Sequence, residues 1–200
     1  MVEEKAEKIA IIGGSMAGLF AAINLRAAGF NVTLFERSDT SLANRGAGIA
    51  THKELYDALL SAGVTLQQKM GVDCIGRNLL NKNGHLILQE NMDQTMSSWG
   101  LIYRFLCTQI TDSKFNNGHT LADIIFKKNE RVTAIFENGK SFEADWIVGA
   151  DGMNSTVRQL VEPSSKPSYA GYLAWRGLIE ESLIEKELIS ELAEVITFGL

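Results

Sequence analysis

The residues most able to do chemistry stand in two glycine-rich turns. The first is Gly13-Gly14-Ser15-Met16-Ala17-Gly18, between an apolar run (Ile9-Ala10-Ile11-Ile12) and an alanine-rich segment with helical spacing. Small residues in such a turn let the backbone pass close to a pyrophosphate, and the amides of the following helix face its negative charge. The usual G-x-G-x-x-G places fall on Gly13, Ser15 and Gly18, so serine replaces the central glycine. About 20 positions further on, at the end of a second apolar run, Val32 to Phe35, stands Glu36, followed by Arg37. A carboxylate there accepts both hydroxyls of an adenosine ribose and repels a 2′-phosphate. By itself this unit leaves NAD and FAD both open, and its plainer reading is a strand–turn–helix corner with a surface glutamate. The second turn, Gly149-Ala150-Asp151-Gly152-Met153-Asn154-Ser155-Thr156-Val157-Arg158, has the form G-A-D-G-x-x-S-x-V-R.

Other reactive residue types form no pattern of their own. His52, His85 and His119 lack ligand spacing, so no metal is assigned. Cys74 and Cys107 have no CxxC relation and fit a reduced context. No Ser/His/Asp arrangement emerges, so no protein side chain is nominated as catalytic. Ala174 and Arg176 lie two apart on an expected strand and so share a face. Arg176 is a fixed cation able to hold an anionic ring oxygen, or else to pair with the acidic Glu180–Glu185 stretch.

The elements that must position these residues read in order. Strand, turn, helix (Leu19 to Ala28, closed by Gly29) and second strand make a β-α-β unit. Its strands are continuously apolar rather than alternating, which implies burial on both faces and a parallel sheet. Ser38 to Ala50 reads as a loop, and His52 to Leu60 and Trp99 to Ile110 as helices. Asn81-Lys82-Asn83-Gly84 marks one hairpin and Glu137-Asn138-Gly139-Lys140 another. The second hairpin runs into a buried strand, Trp146 to Ala150, and a helix that Ser155 could cap. Pro163 to Pro167 is the clearest linker; Tyr169 to Ile179 then reads as a strand and Glu180 to Glu194 as an acidic helix.

Composition narrows the class. Of 200 residues 46% are hydrophobic and 22% charged, which excludes a disordered chain and a disulfide scaffold. The net charge of −5 argues against a generic nucleic-acid binder. No apolar run reaches membrane-spanning length and the N-terminus lacks a signal-peptide h-region, so a cytoplasmic protein is expected.

Together these motifs resemble the FAD-dependent aromatic hydroxylases of the p-hydroxybenzoate hydroxylase type, within them most closely the 2,6-dihydroxypyridine 3-hydroxylase branch. The matching pieces are Gly13 to Gly18, Phe35-Glu36-Arg37, Arg45-Gly46-Ala47-Gly48-Ile49, Ser98-Trp99, Tyr103-Arg104, Asp145 to Arg158 and Tyr169 to Leu178. The resemblance implies an α/β fold: a Rossmann-like FAD-binding parallel sheet with a β-hairpin crossover, plus part of a mixed-sheet substrate domain. Residues 1–70 and 101–165 would form the FAD domain, and 71–100 with 166–200 a partial, truncated substrate domain.

The implied function is a monooxygenase that hydroxylates an aromatic or N-heteroaromatic ring with NADH or NADPH and O₂, through a flavin hydroperoxide. Its partners would be a small aromatic substrate and O₂, with a homodimer left open. Carried over by position, Gly13, Gly14, Ser15, Met16, Ala17 and Gly18 hold the pyrophosphate, and Glu36 with Arg37 the adenosine. Arg104 reaches the phosphates or ribityl chain, Leu121 lends its backbone to the adenine, and Arg45 and Ala50 approach the flavin. Asp151 and Gly152 form a second wall near the pyrophosphate, and Arg176 faces the substrate. The plainer readings are a surface arginine for Arg104, core for Leu121, a solvated Arg45, and a turn feeding a Ser155-capped helix for Asp151-Gly152. Family members also carry a later Gly-Asp motif, which is not found after Arg158. The expectation is therefore the N-terminal half of such an enzyme, the alternative a non-catalytic FAD- or NAD-binding remnant.

Overall fold

A computed structural model describes residues 6–44, 46, 48–65, 69–111, 114–127, 131–173, 179–192 and 195–199. The β-α-β unit consists of β1 (Lys8–Ile12), α1 (Met16–Ala27) and β2 (Asn31–Phe35). These strands join β6 (Phe115–Asn116) and β10 (Trp146–Gly149) in a parallel sheet of order β10-β1-β2-β6.

The two faces of this sheet explain its continuously apolar strands. Ile9, Ile11, Val32 and Leu34 turn to one side, against Leu19, Ala22 and Ile23 of α1 and Ile102, Tyr103 and Leu106 of α3 (Trp99–Thr108). Leu59 of α2 (Lys53–Ser61) joins that cluster. Ala10, Ile12 and Phe35 turn to the other side, against a three-stranded antiparallel sheet. Its strands are β7 (Leu121–Phe126), β8 (Val132–Phe136) and β9 (Ser141–Ala144), and it is the hairpin crossover between β6 and β10. Successive strand residues point to opposite faces, so both must be apolar when both are covered. Ile11, Leu19, Leu34 and Ile102 have essentially no exposure, and each such side chain stabilises the fold by about 1.5–3 kcal/mol.

A second, mixed sheet has the order β11-β4-β5-β3. Its long hairpin pairs β4 (Val72–Leu80) with β5 (Leu86–Ser98), and β3 (Gly48–Thr51) pairs with β5 near Trp99. At the other edge β11 (Val195–Gly199) runs parallel to β4. It leaves Val72, Ile75, Leu86, Ile87 and Leu88 exposed, whereas in the parallel sheet the exposed large hydrophobic residue is Trp146 of the edge strand β10.

The expected strand over Tyr169 to Ile179 is not borne out where it can be described. Residues 169–173 are irregular and exposed, because no neighbouring strand takes up their backbone groups, and 174–178 lie outside the described residues. The expected acidic helix is interrupted: a 3-10 turn, Glu181–Leu183, and α5 (Lys186–Leu192) flank Ile184, whose backbone is extended.

Candidate functional site

The register of the parallel sheet sets the site. Ile12 pairs with Phe35 on one side and Gly149 on the other, so the chain leaves all three strands at one level. In open α/β sheets the crevice beyond the carboxyl ends of the strands is where ligands bind. Here that crevice is a groove of about 380 Å³, lined among others by Gly13, Ser15, Ala17, Glu36, Arg37, Leu121, Asp151 and Gly152.

The first turn is built on missing side chains. Gly13 adopts φ +111°, and a Cβ there would stand 2.3 Å from the Ala150 carbonyl oxygen. A Cβ on Gly18, inside the first turn of α1, would lie 1.8 Å from the Gly13 oxygen. Gly13 N–H donates to the Phe35 carbonyl (2.8 Å) and Ala150 N–H to that of Ile12 (2.7 Å), which ties the turn to both neighbouring strands. Ser15 occupies the N-cap of α1 but makes no side-chain capping bond, and no acidic residue stands in the first turn.

Glu36 is 6% exposed yet not isolated. Its Oε2 accepts from Gly14 N–H (2.7 Å) and its Oε1 from Ser38 N–H (2.9 Å). Charge-assisted bonds of this kind hold a carboxylate in one orientation at the groove wall. Arg37 beside it is exposed.

The second turn uses a carboxylate of its own. Asp151 accepts from Thr156 N–H (2.7 Å) and Val157 N–H (3.2 Å) through Oδ2, and from the Ser155 hydroxyl through Oδ1. Ser155 Oγ in turn accepts from Arg158 N–H at 2.9 Å, so α4 (Thr156–Val161) is capped twice. The plainer reading of Asp151-Gly152 is therefore present in full, although both residues also line the groove.

The remaining nominated residues divide. Leu121 is buried at the start of β7 and lines the groove. Gly14 touches it through Glu36, Gly18 is buried behind the turn, and Met16 packs on the core beneath α1. Arg104 is exposed on α3 and Ala50 pairs with Met96 in the mixed sheet, and neither is among the groove's lining residues. Arg45 and Arg176 lie outside the described residues.

Several lining residues were not nominated: Leu42, Trp99, His119, Thr120, Asn154 and Thr156. Trp99 stacks on Tyr103 with ring centroids 4.9 Å apart, and His119 packs against Phe35 and Phe136. For His119 the available signal was its place two residues before Leu121. Burial pushes the Tyr103 hydroxyl up to about 12, with a hydrogen bond to Cys107 adding to the shift, and burial likewise raises the Cys107 thiol. Among the described residues no group of His, Cys, Asp and Glu is placed to hold a metal.

Known proteins are similar to this chain in sequence and fold. The NAD(P)-binding Rossmann-like domain family matches residues 11–52. The 2,6-dihydroxypyridine 3-monooxygenase of Paenarthrobacter nicotinovorans is 31% identical over 195 residues, covering 97% of this chain and 48% of that protein. The 6-hydroxynicotinate 3-monooxygenase of Pseudomonas fluorescens is 27% identical over 186 residues, 87% of this chain and 48% of its own. The solved structure of 2,6-dihydroxypyridine-3-hydroxylase from Arthrobacter nicotinovorans superposes with a TM-score of 0.88 at 31% identity, covering 98% of this chain and 49% of that one. The chain thus spans about half the length of the curated relatives it matches. In sequence and in fold it is similar to about half of the 2,6-dihydroxypyridine 3-monooxygenase chain.

Proposed function

We propose that the groove is an FAD site, and that the chain is the flavin-binding half of a monooxygenase hydroxylating an aromatic or N-heteroaromatic ring with NADH or NADPH and O₂. The observation that carries this is Glu36, a buried carboxylate pinned by two backbone amides at the wall of a groove that begins at the Gly13 turn. The missing side chains at Gly13 and Gly18 let the turn pack directly on Ala150 and on α1, which fixes its amides at the groove. The residues present therefore fit a dinucleotide.

In this reading the amides from Ser15 to Gly18, Met16 included, take the pyrophosphate while that of Gly14 holds Glu36 beside them, and the α1 N-terminus adds favourable charge. Glu36 holds its acceptor oxygens toward the ribose hydroxyls, and Arg37 and the Leu121 backbone flank the adenosine. Arg104, Arg45, Ala50, Asp151 and Gly152 are assigned to the phosphates, ribityl chain and flavin, and Arg176 to an anionic ring oxygen of the substrate. When bound, FAD supplies the electron-transfer and oxygen-activating chemistry; the protein orients the ring and excludes water. Residues 1–70 and 101–165 make the flavin half of this division, and 71–100 with 166–200 contribute to the substrate half. No described helix is long and apolar enough to cross a membrane, and we assign the protein to the cytoplasm.

The test is an absorbance spectrum of the purified chain after mixing with FAD and desalting. Retained flavin bands, followed by NAD(P)H oxidation that an aromatic compound stimulates, are expected. A folded, colourless chain indifferent to FAD would sink the proposal for this polypeptide.

A further inference from the structure

His119 is a buried polar side chain, 8% exposed, that lines the groove and has no assigned task. Its Nδ1 lies 2.5 Å from the Asn117 carbonyl oxygen, which can only accept, so Nδ1 carries the proton and donates. In the neutral ring Nε2 is then left with a lone pair. The ring packs against the touching pair Phe35 and Phe136, with centroids 5.5 Å from the first and 5.1 Å, near right angles, from the second. Its own backbone N–H donates to the Glu36 carbonyl at 2.9 Å, so ring and carboxylate are set from the same short stretch of chain.

The lining has two characters. The turns contribute Ser15, Asp151 and Asn154, whereas Phe35, His119 and Leu121 make an aromatic and apolar side. A planar base belongs on the second side, and there an unmatched acceptor discriminates strongly, because a ligand without a donor leaves it unpaired.

We infer that His119 reads the adenine: its Nε2 accepts a hydrogen bond from the exocyclic amino group of the base. This deepens the FAD reading and rests on it. Glu36 supplies acceptors for the ribose hydroxyls, so the base amino group is the adenosine donor left for a second acceptor.

The test compares ADP with IDP, in which a carbonyl replaces that amino group, by titration calorimetry on the full chain. The unsubstituted chain should bind ADP about tenfold more tightly than IDP. His119→Phe keeps a packed ring without the acceptor, and should lower ADP affinity to the IDP level while leaving IDP unchanged. His119→Gln, whose amide oxygen accepts, should retain part of the preference. A purely structural role would weaken both ligands equally. Equal affinities in the unsubstituted chain, or a preference that survives in a folded His119→Phe variant, would overturn the inference and leave the FAD reading standing. Failure of ADP, IDP and FAD all to bind would overturn both.

Discussion

Two turns stand side by side at the groove, at the ends of the paired strands β1 and β10, and they solve the same problem in opposite ways. Each leads a strand into a helix whose first amides lack intrahelical partners. At α4 the chain meets that need itself, since Asp151 takes the amides of Thr156 and Val157, and Ser155 that of Arg158. At α1 it does not: Ser15 makes no capping bond and no acid stands in the first turn. A helix N-terminus already holding a carboxylate has little left for an anion, whereas an uncapped one retains its field. On the proposed FAD reading the difference favours the first turn for the pyrophosphate, and Asp151 is first of all a helix cap.

Substitutions can break or sharpen this contrast. The largest effect is expected at Gly18, where a methyl group would stand 1.8 Å from the Gly13 oxygen. Gly18→Ala should destabilise the chain by about 3 kcal/mol in urea denaturation and remove any FAD binding. An unchanged midpoint would show that the turn is looser than its packing implies.

Next comes Tyr103 on α3, which packs in the same cluster as Leu19 of α1. Its hydroxyl is raised to about 12 in the folded state, against about 10 in an unfolded chain. The unfolded chain therefore loses this proton first, and stability present below pH 10 falls as pH rises toward 12. The contribution is about 2–3 kcal/mol, and Tyr103→Phe should flatten that part of the stability–pH curve.

The smallest pair tests the caps directly. Asp151→Ala should cost about 1–2 kcal/mol, while Ser15→Ala should change stability by less than about 0.5 kcal/mol. Similar losses at both sites would erase the contrast. A loss of FAD affinity at Asp151 larger than at Ser15 would reverse it.

The parallel and mixed sheets repeat the lesson on a larger scale. The strands Ile9 to Ile12 and Val32 to Phe35 were legible because burial on both faces writes an unbroken apolar run into the chain. The hairpins at Asn83-Gly84 and Asn138-Gly139 were legible because their turns need particular residues. The stretch from Tyr169 was misread because β-prone residues make a strand only where a partner strand waits, and the described part has none.

Within the site, the sequence alone determined the β-α-β unit, the glycine turn and the acid that follows it. Each is a local pattern set by the periods of strand and helix and by the space a glycine leaves. Only the tertiary structure decided which amides meet Glu36, that Asp151 turns into its own helix, and that His119 packs on Phe35 and Phe136. Those outcomes depend on groups brought together by sheet register and packing, or on which of several nearby partners a polar side chain takes. Residue types name the candidates for such contacts, and the fold chooses among them.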